Sequence, residues 1–343
     1  MKIDYKQARE FLERINAKDN TMIFTHTDMD GFAAGILLQD YLISKGAKTN
    51  VRIVNYGVTR ISDTPLAGFN KIFITDLAPD MVWEDLKDLK DKEIFYTDHH
   101  KEDKDKPIPD FVFELRTLSQ GYIPSTRTVY ELTEKENVAK LWLATAGTVS
   151  DYAEKYPENT EFLQKAYRKL GITHEELMKY LFKFNFALIG SPSLEQAFAE
   201  VSKMKSLDEI VKLAKYYEPV EEDMKRIRED YVKNRELFGK IIYYNLETKY
   251  PGVKSAFINE ISGKEKESIL IFSTKKGREI VSLSARNQSR KYNVITVLKE
   301  GINGFEDSKA GGHEAAAGAQ IRAEDLDKFK ERLKQIKLED CVV

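Results

Sequence analysis

TMIFTHTDMDGFAAGILLQDYLI, residues 21–43, places a short apolar run, a polar loop and a longer apolar segment one after another. We predict a buried strand over 21–25, a loop from His26 to Gly31 and a helix from Phe32 to Ile43, because short apolar runs favour strands and longer ones favour helices. A strand, a loop and a helix in this order form the repeating unit of a parallel α/β sheet.

The same pattern continues along the N-terminal part of the chain. Strands are predicted at NVRIVNY (50–56), KIFITD (71–76) and EIFYTD (93–98), with a helix over roughly 80–91. Alternating strands and helices predict a doubly wound parallel sheet. The carboxyl ends of the strands border the ligand crevice in such a sheet, so the polar residues directly after each strand are candidates for chemistry.

Two later regions differ from the N-terminal one. From about 124 to 239 the apolar residues recur at helical spacing, and the last predicted helix is long and charged. After 240 the segments KIIYYNL, VKSAFINEI, SILIFST, REIVSLSAR and NVITVLK predict strands, and a helix near 324–336 closes the pattern. The predicted fold class is α/β, with a doubly wound parallel sheet in residues 1–190, a helical connector in 191–240 and a smaller α/β domain with a mixed sheet in 241–343.

Composition excludes several classes of protein. The chain has 343 residues, 42% of them hydrophobic and 32% charged, which is typical of a folded protein with more than one core. Its single cysteine, Cys341, excludes an intrachain disulfide and a cysteine-based zinc site. There is no secretory h-region and no run of about 18 apolar residues. We therefore expect a cytoplasmic protein that is neither exported nor membrane-spanning.

The net charge of −2 bears on the choice of partner. Proteins that follow long nucleic acids usually carry a large basic surface that neutralises many phosphates. This chain has no such excess of positive charge. Any nucleic-acid substrate is therefore expected to be short.

Side chains that commonly bind metals follow three of the predicted strands. Imidazole with several carboxylates and no thiolate suits divalent ions such as Mn²⁺, our first choice, or Mg²⁺, with Zn²⁺ and Fe²⁺ as further options. A carboxylate such as Asp76 can bridge two ions, the arrangement used for phosphoryl hydrolysis. These side chains outnumber the needs of one ion, so two divalent ions are predicted. They are His26, Asp28, Asp30, Asp76, Asp98, His99 and His100.

Each motif also has a simpler interpretation when it is taken alone. Asp28 and Asp30 would only cap the helix at Phe32, since Asp favours helix N-termini. Asp76 would only form an Asx turn at the end of a strand. An EF-hand is excluded because Gly31 follows too early and no acidic residue closes the loop. A nucleotide-binding Walker B strand at Asp76 lacks the GxxxxGK[ST] loop that it requires.

The order HTDMDG (26–31), ITD (74–76) and TDHH (97–100) resembles the signature of the DHH phosphoesterase family, which includes RecJ exonucleases, nanoRNases and family II inorganic pyrophosphatases. The resemblance implies a fourth acidic motif on a later helix, and Asp151 in ATAGTVSDYAEKY stands at a suitable place. It also implies a second domain with a glycine-rich GGH segment. KAGGHEAAAGAQ (309–320) resembles that segment.

The resemblance assigns roles to individual N-terminal residues. Asp98 would orient a histidine, and His100 would face the scissile phosphate, so that His100, Asp98 and Asp76 take part in catalysis. Relatives place the motif's histidine four residues before the first metal aspartate, where this sequence has Phe24, so His26 would reach the metal from a nearer position. The implied metal ligands are His26, Asp28, Asp30, Asp76, His99 and Asp151, with Asp76 bridging.

The resemblance also implies a substrate-binding set in the second domain. Its arginine would match the geometry of a phosphate. The adjacent glycines are expected to precede a short helix and to present backbone N–H groups to a phosphate, and a tight turn is the simpler alternative. The implied set is Ser284, Arg286, Gly311, Gly312 and His313.

The predicted function is a two-metal phosphoesterase with a cleft between its domains, most simply an exonuclease that releases mononucleotides from short RNA or DNA oligonucleotides. Two alternatives use the same chemistry: a phosphatase of 3′-phosphoadenosine 5′-phosphate and a cyclic dinucleotide phosphodiesterase. A non-enzymatic alternative is an inactive relative that binds nucleic acid or a replication partner, but every acidic motif keeps its carboxylate. The expected partner is thus the nucleotide substrate, and a homodimer agrees with the frequency of dimers among soluble proteins.

Overall fold

A parallel sheet with five strands organises the first part of the chain. The structure is a computed structural model that describes residues 1–56, 58–277 and 279–343, without the side chains of residues 119, 134–138 and 276. The sheet order is β2-β1-β3-β4-β5 with every pair parallel, as predicted for a doubly wound sheet. The strands are β1 (Asn20–His26), β2 (Lys48–Val54), β3 (Lys71–Thr75), β4 (Glu93–Asp98) and β5 (Phe113–Arg116).

The strands and helices divide between two units, Met1–Ala214 and Lys215–Val343. In the first unit, helix α2 is buried along most of its length and packs against α4 and α5. The finer predicted division into 1–190, 191–240 and 241–343 stays a prediction. The α-helices of the first unit are α1 (Tyr5–Glu13), α2 (Met29–Ser44), α3 (Pro79–Lys87), α4 (Ser125–Asn137), α5 (Leu141–Ser150), α6 (Thr160–Leu170), α7 (His174–Gly190) and α8 (Leu194–Val201).

The register of the parallel sheet brings three strand ends to one level. Thr25 of β1 pairs with Thr75 of β3, which pairs with Thr97 of β4, and all three threonines are buried. Parallel strands run in the same direction, so the residue after each threonine lies at the same carboxyl edge of the sheet. Those three residues are His26, Asp76 and Asp98.

The second unit contains a mixed sheet with six strands in the order β10-β11-β9-β8-β7-β6. Its β7–β8 pair is parallel and its other pairs are antiparallel, which confirms the predicted mixed sheet. The elements in chain order are α9 (Ala214–Asn234), β6 (Glu236–Phe238), β7 (Ile241–Asn245), α10 (Val253–Lys264), β8 (Ile269–Lys276), β9 (Ile280–Arg286), α11 (Val294–Ile302), β10 (Lys309–His313), β11 (Ala316–Arg322) and α12 (Leu326–Leu333).

Two segments of the second unit differ from their prediction. VKSAFINEI and NVITVLK were expected to be strands, but they lie in helices α10 and α11. The buried residues of α11 include Val294, Val297, Leu298 and Ile302, which recur at the three- and four-residue spacing of one helix face. Asn293 caps this helix by accepting a hydrogen bond from the backbone N–H of Thr296 at 3.3 Å. Packing of that face outweighs the strand preference of β-branched residues.

None of the helices in the described part of the chain is long and apolar enough to cross a lipid bilayer.

Candidate metal centre

Side chains at the carboxyl edge of the parallel sheet form three overlapping groups of potential metal ligands. Within each group, one donor atom per residue lies within 4.8 Å of the others. Asp76 belongs to two of the groups, and His99 also belongs to two. The fold therefore brings all the predicted N-terminal site residues together. The groups are Asp76, Asp98, His99 and His100; His26, Asp28 and Asp76; and Asp30, His99 and Asp151.

Asp76 lies directly after β3 and has a strained backbone. Its φ of 58° is in the left-handed region, which a non-glycine residue adopts at a cost of about 1–2 kcal/mol. The side chain is 1% exposed. Its Oδ1 accepts a hydrogen bond from the Ser125 hydroxyl at 3.1 Å, whereas its buried Oδ2 has no hydrogen-bond donor among the described residues. Strain of this kind persists where the surrounding structure holds the residue in place, and it occurs often at functional sites.

The two aspartates of the first motif cap different helices. Asp28 caps α2 by accepting from the backbone N–H of Gly31 at 3.0 Å. Asp30 lies inside α2, and its two carboxylate oxygens accept from the backbone N–H groups of Ser125 and Thr126, each at 2.9 Å, where α4 begins. The capping interpretation thus describes part of the geometry. Capping does not account for the other oxygen of Asp28, Oδ2, which lies 2.8 Å from Nδ1 of His26.

His99 lies among three of the carboxylates and is 3% exposed. Its Nδ1 is 3.6 Å from Oδ1 of Asp76 and 3.7 Å from Oδ2 of Asp30. Its Nε2 is 3.3 Å from Oδ2 of Asp151, a buried oxygen with no aligned hydrogen-bond donor among the described residues. Burial lowers the pKa of His99, which favours the neutral imidazole that binds metals.

Asp98 is bonded to His100 and not to His99. Its Oδ1 lies 2.7 Å from Nδ1 of His100, and its Oδ2 accepts from the backbone N–H of His100 at 2.9 Å. Arg116 donates to Oδ2 of Asp98 at 3.4 Å and also to the carbonyl oxygen of His100. These bonds fix the imidazole so that Nε2 is the ring nitrogen left for a ligand.

Burial, followed by carboxylate repulsion, raises the pKa values of the acidic groups in the cluster. Burial and the neighbouring charge of Asp30 raise the pKa of Asp76 well above its usual range. Burial and the charge of Asp30 also raise the pKa of Asp151 to about 7, and burial raises the pKa of Asp30 itself. Negative groups held this close in a buried place are stabilised by a cation.

We expect Asp98→Asn to lower the pKa of His100. Burial alone lowers this pKa, but the hydrogen bond and the charge of Asp98 outweigh it and raise the pKa above its ordinary value. In the variant the effect of burial is opposed only by the weaker influence of the Asp151 and Asp28 charges among the causes that act on this ring. A histidine whose pKa is raised in the folded state adds to the stability of the fold at acidic pH. That added stability is lost as the pH rises through the folded-state pKa. The variant should therefore be less stable than the wild type mainly below neutral pH.

The measurement is an NMR titration of the histidine rings in metal-free protein, wild type against variant. His174, at the start of α7, lies outside the cluster and is the internal control. An unchanged His100 titration in the variant would contradict the assigned role of Asp98.

Several residues of the cluster were missed by sequence reasoning. Arg116 lies on β5, a strand of four residues that was not predicted. Ser125 and Thr126 begin α4, and the PST at 124–126 was the signal for a helix start that could have indicated them. Tyr56 stacks on the ring of His26, with ring centroids 4.8 Å apart.

In the second unit, most of the predicted substrate-binding residues share one face of the mixed sheet. Across the three strands β9, β11 and β10, Arg286 lies opposite Ala316, which lies opposite His313. Two residues along the same strands, Ser284 lies opposite Gly318, which lies opposite Gly311. Side chains two residues apart on a strand point to the same face. The glycines leave that face open, and a hollow of about 460 Å³ there is lined in part by Ser284, Gly311 and Gly318.

The expectation that the paired glycines precede a helix is wrong. Gly311 and Gly312 lie within β10, which forms a hairpin with β11. Gly312 has a φ of 128°, and a Cβ there would lie 2.7 Å from the carbonyl oxygen of Ala316. Its place thus requires glycine for the close approach of two strands. Any phosphate bound here would meet an edge strand and not a helix N-terminus.

Comparison with known proteins agrees with this architecture. The family model of the DHHA1 domain matches residues 239–338. The C-terminal unit contains a DHHA1 domain. No curated protein matches the chain by sequence.

Solved structures show that the fold extends beyond the DHHA1 domain. Exonuclease RecJ bound to manganese is similar over 96% of this chain and 93% of its own, with a TM-score of 0.74 and 16% identity. RecJ from Thermus thermophilus in complex with Mn²⁺ is similar over 96% of this chain, with a TM-score of 0.70 and 16% identity. This chain covers 54% of that protein, about half its length.

A third similar structure is CDC45 from Entamoeba histolytica, with a TM-score of 0.66, 11% identity, and coverage of 98% of this chain and 99% of its own. The chain therefore has the fold of the DHH phosphoesterases with a C-terminal DHHA1 domain, and the resemblance predicted from its motifs is confirmed at that level.

Proposed function

We propose that the chain is a metal-dependent phosphoesterase that uses two divalent ions, Mn²⁺ in the first place, to hydrolyse short nucleotide substrates. The observation that carries the proposal is the overlap of the ligand groups. Two of them share Asp76 and two share His99, so one carboxylate and one imidazole connect the whole cluster. Shared ligands of this kind suit a pair of ions better than one.

The residues fit a metal by a test that does not depend on any relative. Buried carboxylate oxygens normally accept hydrogen bonds, yet Oδ2 of Asp76 and Oδ2 of Asp151 have no aligned donor among the described residues. Both groups also have raised pKa values because of burial and neighbouring charge. Divalent ions at this place would activate water and neutralise charge on the phosphoryl group. The proposed ligands are His26, Asp28, Asp30, Asp76, His99 and Asp151.

The reaction forms one bond from a water oxygen to phosphorus and breaks the bond from phosphorus to the leaving sugar oxygen, which takes up a proton. His100 is proposed to act on the substrate through Nε2, since Asp98 occupies Nδ1 at 2.7 Å. Its raised pKa favours the protonated ring, which donates a hydrogen bond to a phosphoryl oxygen. Asp98 and Arg116 act by positioning that ring.

For substrate we propose short RNA or DNA oligonucleotides, cut to mononucleotides. The near-neutral net charge of −2 argues against binding a long polyanion. The open face of the DHHA1 domain is proposed to bind nucleotide through Arg286, Ser284 and His313, with Gly311 and Gly312 allowing close approach. The similarity in fold to exonuclease RecJ supports this substrate class.

The test is product analysis with Mn²⁺ on end-labelled RNA and DNA from dinucleotides to long oligomers, with 3′-phosphoadenosine 5′-phosphate and cyclic dinucleotides alongside. We expect mononucleotides from the short oligomers and none after EDTA treatment. Turnover confined to the small molecules would replace the exonuclease by a nucleotide phosphatase or a cyclic dinucleotide phosphodiesterase. The label gives the direction of cleavage.

The non-enzymatic alternative has a separate readout. A chain that only binds nucleic acid or a replication partner would take up no Mn²⁺ in calorimetry and would leave every substrate intact. Uptake of two Mn²⁺ per chain, together with hydrolysis, excludes it.

A further inference from the structure

Two tyrosine rings lie stacked beside the carboxylate and histidine cluster. The ring centroids of Tyr122 and Tyr156 are 4.5 Å apart and their planes are 18° from parallel. The Tyr122 ring also meets the His99 ring edge to face at 4.9 Å. Burial and the negative charge of Asp151 raise the pKa of the Tyr122 hydroxyl. Tyr122 therefore lies next to the candidate metal centre, and Tyr156 lies on Tyr122.

The outer ring of this pair is open to solvent. Tyr156 is 41% exposed, and among the described residues its ring stacks on Tyr122 alone. The stacked rings of Trp142 and Phe184, which serve packing, are buried: their centroids are 5.8 Å apart, and each residue is 1% exposed. An exposed, parallel ring stack beside a polar cluster thus needs another explanation than core packing.

The pair is held in place before any ligand arrives. Asn159 is fully buried, and its amide donates to the carbonyl oxygens of Tyr122 at 2.8 Å and Ala153 at 2.9 Å. The side chain of Glu158 accepts from the backbone N–H of Tyr122. Arg127 donates to Oδ1 of Asn159 at 2.8 Å. These bonds tie the loop that carries Tyr122 to the turns that carry Tyr156, which lowers the entropic cost of binding a ligand there.

We infer that Tyr156, backed by Tyr122, is a nucleobase-stacking platform that positions the nucleotide whose phosphate reaches the candidate metal centre. The inference rests on the proposed function and adds the part of the substrate that the platform recognises. Every base presents a flat π face, so a ring platform accepts purines and pyrimidines without reading sequence. The platform selects substrates that carry a base next to the scissile phosphate.

The test is calorimetric binding of two probes to the full chain in the presence of Mn²⁺. One probe is a dinucleotide with a methylene phosphonate linkage that cannot be hydrolysed, and the other is the same backbone without bases. We expect the wild type to bind the base-bearing probe more tightly by roughly tenfold or more, as aromatic stacking generally provides. Tyr156→Leu should lose this preference, and Tyr156→Phe should retain it.

A matched control is Phe182→Leu, which removes another exposed ring of the first unit, on α7, and should leave the preference unchanged. Equal preference in wild type and Tyr156→Leu would overturn the platform, as would a loss of preference in Phe182→Leu of the same size. Failure of the proposed function would give a different result. The preference for the base-bearing probe would persist and would still depend on Tyr156, but no natural dinucleotide would be hydrolysed.

Discussion

Replacing Asp76 with asparagine is expected to reduce hydrolysis at least about a thousandfold, or roughly 4 kcal/mol of transition-state stabilisation. Asp76 is the carboxylate shared by two of the ligand groups, so its loss removes a ligand from both. Asparagine has the same shape, and its side-chain oxygen can still accept the hydrogen bond from Ser125. The fold should therefore remain while the divalent ions bind poorly.

The same substitution is expected to stabilise the metal-free chain at neutral pH. The pKa of Asp76 is raised by burial and by Asp30, so the folded state binds this proton more tightly than the unfolded state. Such a group favours folding below its unfolded pKa, and the advantage is lost as pH rises through the folded pKa. At pH 7 the wild type therefore folds against this repulsion, which asparagine removes.

Both effects can be measured on one protein preparation. Turnover with Mn²⁺ measures the loss of hydrolysis. The thermal midpoint in EDTA, compared with the midpoint in Mn²⁺, measures the change in stability. Mn²⁺ should raise the midpoint of the wild type and have little effect on the variant, since a ligand stabilises only the state that binds it. Asp80→Asn, at the exposed start of α3, is the control and should behave as wild type. Near-normal turnover in Asp76→Asn would refute the proposed centre.

Gly31→Ala is expected to damage both stability and activity. Gly31 lies in the first turn of α2, and a Cβ there would lie 2.7 Å from both the backbone nitrogen and the Cβ of His26 and 2.9 Å from Oδ2 of Asp76. Backbone atoms of a central strand cannot yield without moving the sheet. We expect unfolding to become easier by about 1–3 kcal/mol, as for other overpacked sites.

Activity should fall by about a hundredfold or more in Gly31→Ala, because a shift of about 1 Å in a catalytic group can have that effect. Denaturant unfolding and kcat provide the two measurements. Gly263→Ala is the matched control: it also lies in a helix, and nothing lies within 4 Å of its added Cβ. There we expect a gain of up to about 1 kcal/mol, from helix propensity. Equal behaviour of the two variants would contradict the close packing at Gly31.

Local pattern predicted the N-terminal sheet well because each strand is a short apolar run bounded by polar residues. Helix α2 and strands β1, β3 and β4 were placed from such runs. The pattern was misleading in α10 and α11, where β-branched and aromatic residues that favour strands lie on one helix face. In the second unit the paired glycines were assigned to the start of a helix, but an edge hairpin holds them.

The sequence by itself determined the parallel sheet and the types and order of residues at its carboxyl edge. Polar residues directly after apolar strands are a local property, so His26, Asp76 and Asp98 could be found without a structure. Only the tertiary structure decided which neighbours complete the cluster. Arg116, Ser125 and Tyr122 reach it from segments that are far from those motifs in sequence. Contacts of that kind depend on sheet order and helix packing, which no local pattern of residues specifies.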